Sequence, residues 1–349
     1  MSTSREQILN VLHRRNSGRI PLAAYSFLLF RGKTERSLRN RGCGLIHFEK
    51  AFTTFLNNIE ISTKDAWENG TRVLYRRYKT PVGELTEKVQ VDPAYHSQWI
   101  QEYLIKKPDD YRIACYIAEN TVYCPNTDLF LEAEDNLGED GIIVANLDRL
   151  PFQKTLIELA GTERLCFDLS DNPEVVEELF QVLTTKQEEM YRLAIDSPAA
   201  IIHTWDNITE DITSPRLFER YCLPLYQRYQ EMIHRNKKLF MVHMDGKLAH
   251  LKNLIAQSGI DVIESFSLPD TGGNLPPEEI GNTWPDKAIM ANVPAFLCYR
   301  DEAFIERYIA DLITRVPRER FMLCVSEDLP QPFWKKTLSL IDKALKHSG

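Results

Sequence analysis

The sequence predicts an α/β fold, a closed (β/α)8 barrel of the TIM type, and three observations carry that reading. From about residue 151, short apolar runs alternate with amphipathic helical stretches, a few tens of residues per unit, as in a parallel sheet with crossover helices. The apolar runs also end in polar groups. Leu239 to Val242 leads into His243-Met244-Asp245-Gly246, and Asp261-Val-Ile-Glu264 ends in a carboxylate. Ala288-Ile-Met-Ala-Asn292 ends in an amide, Phe321 to Val325 runs into Ser326-Glu327-Asp328, and Ala199-Ala-Ile-Ile-His203 leads into Thr204-Trp205-Asp206. A parallel α/β sheet gathers its ligand-binding groups at the carboxyl ends of its strands. Finally, no Gly-x-Gly-x-x-Gly follows any of these runs, which argues against a dinucleotide-binding half. An open doubly wound sheet is the second choice.

The elements follow in order. Residues 4 to 16 read as a helix, with Ser4 as N-cap and Ile8, Leu9, Val11 and Leu12 on one stripe. Arg19-Ile20-Pro21 ends it, and Leu22 to Phe30 is apolar enough for a first buried strand. Thr71 to Thr80, the turn Pro81-Val-Gly83, and Glu84 to Val91 read as a β-hairpin. Residues 59 to 92 are therefore an excursion within one barrel domain spanning 1–349. Asp171-Asn-Pro173 opens a long helix with Glu174, Glu177 and Glu178 at its positive end. Ser214-Pro215 opens another, running to Arg235. Strands 239–243, 260–265, 288–292 and 321–325 then alternate with helices 247–258, 301–315 and 332–346. The loop Thr271-Gly-Gly-Asn274 either cradles an anion through its amides or is a flexible βα-loop.

Hydrophobic content of 43% and charged content of 26% suit a globular protein with a sizeable core. A net charge of −8 argues against a nucleic-acid partner, whose affinity would come from a basic surface. The polar start Met1-Ser-Thr-Ser-Arg-Glu lacks the apolar core of a signal peptide. No run reaches the roughly 18 apolar residues that cross a bilayer. Seven cysteines without a Cys-x-x-Cys pair fit a reducing compartment, so a cytoplasmic location is expected. Asn69-Gly-Thr71 matches a glycosylation pattern that carries no weight without a secretory leader.

Several motifs, in this order along the chain, resemble the uroporphyrinogen decarboxylase superfamily. They are Arg19-x-Pro21, Lys79-Thr-Pro-Val-Gly-Glu84, Asp206 with Ser214-Pro215, His243-x-Asp245-Gly246 and Ser326-Glu-Asp-Leu-Pro330. The resemblance implies a (β/α)8 barrel and one of two chemistries. True uroporphyrinogen decarboxylases carry Phe-Met-Arg-Gln-Ala-Gly-Arg near the N-terminus. The corresponding stretch here, Ala23-Ala-Tyr-Ser-Phe-Leu-Leu-Phe-Arg-Gly32, keeps one guanidinium, Arg31. A substrate with eight carboxylates needs several fixed cations. The other branch comprises methyltransferases that exchange a methyl group with a corrinoid and bind zinc through His-x-Cys and a later Cys. Those positions fall on His243, Asp245 and Glu327, with Cys324 three residues earlier as a competitor.

The resemblance to that branch implies a metal-dependent methyltransferase holding Zn2+ through His243, Asp245 and Glu327. Glu264 is then a spare ligand or base, and Asp206 a second candidate catalytic acid–base group. Tyr25, Arg31, His203, Asn292 and Cys324 are pocket candidates. The expected partners are a small-molecule methyl donor and a separate protein carrying the corrinoid, since the chain has no Asp-x-His-x-x-Gly signature. No nucleic acid or membrane is expected, and a homodimer is the base-rate expectation. Two alternatives stay open. One is a decarboxylase or other lyase, in which Asp206 or Glu264 protonates a carbanion with an elevated pKa. The other is a non-catalytic barrel that binds a small ligand.

Overall fold

The computed structural model describes residues 2–16, 18–93 and 97–347. The chain, read above as one domain, clusters into two compact units. The first, built from 1–51, 127–146 and 197–349, carries the eight-stranded closed parallel barrel. Its strands are β1 (Leu22–Tyr25), β2 (Gly44–Glu49), β3 (Gly141–Leu147), β4 (Ile201–Thr204), β5 (Leu239–His243), β6 (Val262–Phe266), β7 (Ala288–Asn292) and β8 (Phe321–Val325). Each strand pairs with its neighbours in this order, and β8 closes on β1. The (β/α)8 expectation holds.

Inward-facing Ile46, Ile142, Val144, Ile201, Met241, Val262, Met290 and Met322 fill the barrel as one core cluster. Each large apolar side chain removed from water contributes roughly 1.5–3 kcal/mol. Barrel closure also needs one bare backbone. A Cβ on Gly141 would lie 2.0 Å from the Leu45 carbonyl oxygen, so β2 and β3 approach too closely there for a side chain.

Some boundaries differ from the sequence reading, each for a local reason. The first helix spans Ser4–Leu12, capped by Thr3 rather than Ser4. The Thr3 hydroxyl accepts from the Glu6 amide while the Glu6 carboxylate accepts from the Thr3 amide, a reciprocal capping box. Arg14, at φ 59°, turns the chain out of the helix. β1 stops at Tyr25 because the Leu28 and Leu29 amides bond back to the Tyr25 carbonyl. The helix expected over 247–258 is confined to Lys252–Gln257. The Asn274 side chain takes the Leu248 and Ala249 amides at 2.9 and 3.0 Å and holds that stretch as loop. The same Asn274 donates to Glu210 at 2.7 Å, so the Thr271–Asn274 loop acts as a tie. β2 and β3 were not anticipated.

The second unit, 52–126 and 147–196, has its own architecture. The expected hairpin is the central pair, Thr71–Thr80 with Gly83–Val91, of a four-stranded antiparallel sheet completed by Glu60–Glu68 and Gln98–Glu102. Asn69 and Gly70, at φ 49° and 79°, form the extra two-residue turn. A helix Asp109–Glu119 packs on the long helix Pro173–Asp196. Buried Val73, Leu85, Val89, Val91 and Ile113 give the unit a core of its own, which explains why it clusters separately. Among the described residues no helix is long and apolar enough to cross a membrane.

Candidate active site

Parallel pairing of β5 with β6 sets His243 directly beside Glu264 at the carboxyl end of the barrel. Glu264, fully buried, is the hub. Its Oε2 lies 2.7 Å from His243 Nδ1 and 3.4 Å from His203 Nε2, and its Oε1 accepts the Tyr25 hydroxyl. The other edge of the same imidazole looks outward, with Nε2 3.4 Å from Asp245 Oδ2. Asn207 Nδ2 donates to that oxygen at 3.1 Å, and the Ser267 hydroxyl holds the Asp245 carbonyl at 2.7 Å. Ligand atoms of His243, Asp245 and Glu327 all lie within 4.8 Å of one another, as do those of His203, His243 and Glu264. Trp205 walls the cluster, its ring centroid 4.5 Å from His203, 5.3 Å from His243 and 4.6 Å from Phe48.

A family model described as Uroporphyrinogen decarboxylase (URO-D) matches residues 155–330, half of the chain. The chain belongs to the URO-D family. It thus falls in a family of enzymes. Among solved structures, a methyltransferase from Methanosarcina mazei is similar, with a TM-score of 0.60 over 99% of each chain at 9% identity, a likeness of fold. No curated protein sequence matches the chain.

Within the URO-D barrel the site's electrostatics depend on this geometry. Burial opposes charge on His243, but the Glu264 and Asp245 carboxylates outweigh it and push the imidazole up to about 10. Burial would raise Glu264, yet His243 and His203 hold it down to about 2. The elevated acid expected at Glu264 under the lyase alternative is therefore corrected, because its hydrogen-bond donors lock it as an anion. Asp245 is likewise held below the usual carboxylate range, His243 overcoming burial. Glu327 reaches solvent at the rim, but its carboxyl is largely enclosed, and that enclosure, with Asp245 nearby, lifts it to about 7.

The remaining candidates divide clearly. Asp206 is buried, but its carboxylate takes the Tyr226 hydroxyl at 2.7 Å and the Thr204 hydroxyl at 3.3 Å, away from the cluster. Tyr226 and Thr204 thus engage both of its carboxylate oxygens, and neither belongs to the cluster. Cys324 belongs to the barrel core, where burial pushes its thiol well up, so it does not compete with Glu327. Arg31 is exposed and is not brought to the cluster. Asn292 joins Ser265 and Ser326 in a buried polar network beside Glu327. Ser265, Asn207 and Trp205 were missed as site residues. Their one sequence signal was adjacency, Trp205 and Asn207 flanking the candidate Asp206 and Ser265 following the candidate Glu264.

One imidazole nitrogen and two carboxylate oxygens suit zinc, whose catalytic sites use three protein ligands of these types. Glu264 already grips the far nitrogen of His243, the arrangement that orients metal-binding histidines. Neither Asp245 nor Glu327 pairs with a lysine or arginine among the described residues, so the His243 imidazolium is the one counter-charge they share. The donor set fits a divalent cation.

Proposed function

We propose that this URO-D family member is a metal-dependent methyltransferase that exchanges a methyl group between a small-molecule donor and a corrinoid carried by a separate protein. The observation that carries the reading is the convergence of His243, Asp245 and Glu327, with Glu264 behind the imidazole. Zinc bound there would act as a Lewis acid on the heteroatom bearing the methyl group and stabilise the leaving group. Carboxylates in place of the thiolates of the methyltransferase branch make the donor set harder, which favours a methyl group carried on oxygen.

The chain's residues have separable tasks. Glu264 keeps the His243 proton on Nδ1, so that Nε2 is the nitrogen offered to the cation, and ligation requires His243 to give up its Nε2 proton. The Tyr25 hydroxyl fixes Glu264, and Asn207 orients Asp245. Trp205 and Phe48 exclude water from one side. Exposed Phe27, Tyr299 and Phe333, on loops following β1, β7 and β8, offer an apolar rim for the corrinoid protein.

A metal-free lyase is the second reading, favoured by the Glu327 carboxyl, which enclosure lifts to about 7, a value suited to a proton donor. Metal analysis separates the two. About one equivalent of zinc in the purified protein, lost in His243→Ala, supports the methyltransferase. Metal-free protein that consumes a porphyrinogen overturns it.

A further inference from the structure

Between two paired positions, β6 carries one residue more than its neighbour β7. Ile263 pairs with Ile289 and Phe266 with Ala291, so three steps along β6 match two along β7. Ser265 takes the extra step at φ 59°. Among the described residues it is the one non-glycine residue inside a strand with positive φ, a conformation that serine adopts only against a steric penalty.

The bulge changes which side chains face the site. Successive residues of a regular strand point to opposite faces, so Glu264 facing inward would send Ser265 outward. Here both turn inward. Glu264 meets Tyr25 and His243, while the Ser265 hydroxyl lies 2.9 Å from Asn292 Oδ1, 3.1 Å from Ser326 Oγ and 3.3 Å from Glu327 Oε1. Phe266 resumes the outward face against Trp284. The bulge thus places two consecutive side chains in the site.

Ser265 has one hydroxyl proton for three acceptors. The Ser326 hydroxyl already donates to Asn292 Oδ1, which leaves Glu327 Oε1 as the carboxyl acceptor open to the Ser265 proton. Ser265 is also the sole protein hydrogen-bond partner of the Glu327 side chain among the described residues. Asp245, by contrast, is held by Asn207 and His243.

We propose that Ser265 is a positioning residue, turned inward by the bulge to hold the Glu327 carboxylate where it meets His243 and Asp245. The inference rests on the cation-site reading above. Two variants test it, by zinc titration against a competing chelator and by thermal melts. Ser265→Ala and Ser265→Gly both lose the hydroxyl, and each is expected to weaken zinc about tenfold. Their melting temperatures differ, glycine above alanine, because glycine adopts the positive φ freely. A purely structural serine would shift the melts and leave the zinc dissociation constant unchanged. Variants that bind zinc within about twofold of wild type, while Glu327→Ala loses it, overturn this inference and leave the metal reading standing. Wild-type protein that binds no zinc removes both.

Discussion

Replacing Glu264 by glutamine keeps the shape of the hub and removes its charge. One carboxylate oxygen lies 2.7 Å from His243 Nδ1 and the other accepts the Tyr25 hydroxyl. An amide has one acceptor. If that oxygen stays with Tyr25, the new NH2 faces Nδ1 and drives the imidazole proton onto Nε2, the nitrogen needed by the cation. If the amide turns over, the Nδ1 bond survives without the charge that makes His243 basic. Both outcomes weaken ligation. Losing an outer partner of this kind costs about 10–100-fold in metal affinity, or about 1.4–2.7 kcal/mol. Competition titration with a zinc chelator reads it, and wild-type affinity in Glu264→Gln would refute the claim that Glu264 orients the imidazole.

The same variant has a pH signature in chelator-treated protein. His243 is raised from 6.5 to about 10, so its contribution to stability is fully present below 6.5 and is lost as pH rises through 10. Glu264 is depressed from 4.5 to about 2, so its contribution is present above 4.5 and is lost as pH falls through 2. The stability gap between wild type and Glu264→Gln is therefore widest between these windows and narrows at both ends. Removing one partner of a buried pair costs about 3–5 kcal/mol, an upper bound here because His243 can shed its proton. Denaturant melts across the pH range measure the gap, and a flat gap contradicts the pairing.

Three further outcomes are expected. Asp245→Cys retains or tightens zinc while Asp245→Ala weakens it by about an order of magnitude or more, and unchanged binding in the alanine variant removes Asp245 from the ligand set. Asp206→Asn leaves zinc affinity unchanged and lowers stability by about 1–2 kcal/mol in denaturant melts, because its carboxylate serves Tyr226 and Thr204; zinc loss in that variant would return Asp206 to the site. Zinc binding at neutral pH releases between about one and two protons, one from His243 Nε2 and a fraction from Glu327, in weakly buffered solution; binding without proton release contradicts the protonated imidazole.

The fold was legible where one period ruled. From 239 to 346, strands with polar ends alternate with amphipathic helices, and the barrel follows. β3 was less readable because Gly141-Ile-Ile-Val-Ala145 is a continuous apolar run, which periodicity cannot separate from a buried helix. β2 buries Gly44 and Ile46 but leaves Leu45 and His47 half-exposed, and it runs almost directly into the antiparallel strands that follow, so it gave no separate signal. The site was legible as residue types at strand ends: His243, Asp245, Glu264 and Glu327 do converge. Which way Asp206 turns was not, because its partner Tyr226 lies twenty residues on, on a helix whose packing the local pattern does not encode. The ionisation of Glu264 was hidden for the same reason, since Tyr25, 239 residues away, and two histidines decide it.

What unites these groups is a charge imbalance. Around one imidazolium stand three carboxyl groups, those of Glu264, Asp245 and Glu327, and among the described residues none of the three pairs with a lysine or arginine. Enclosed negative charge is tolerated only with a partner or a proton. Glu264 has its partner in His243, and Asp245 shares that same imidazole from the other edge. Glu327 is left with a serine hydroxyl and holds its proton to about 7. The least compensated oxygen thus sits beside the one imidazole nitrogen whose partner is rim-facing, and a cation between them would satisfy Glu327 and Asp245 together. Ser265 matters in that setting because it gives Glu327 a fixed direction without supplying the missing charge.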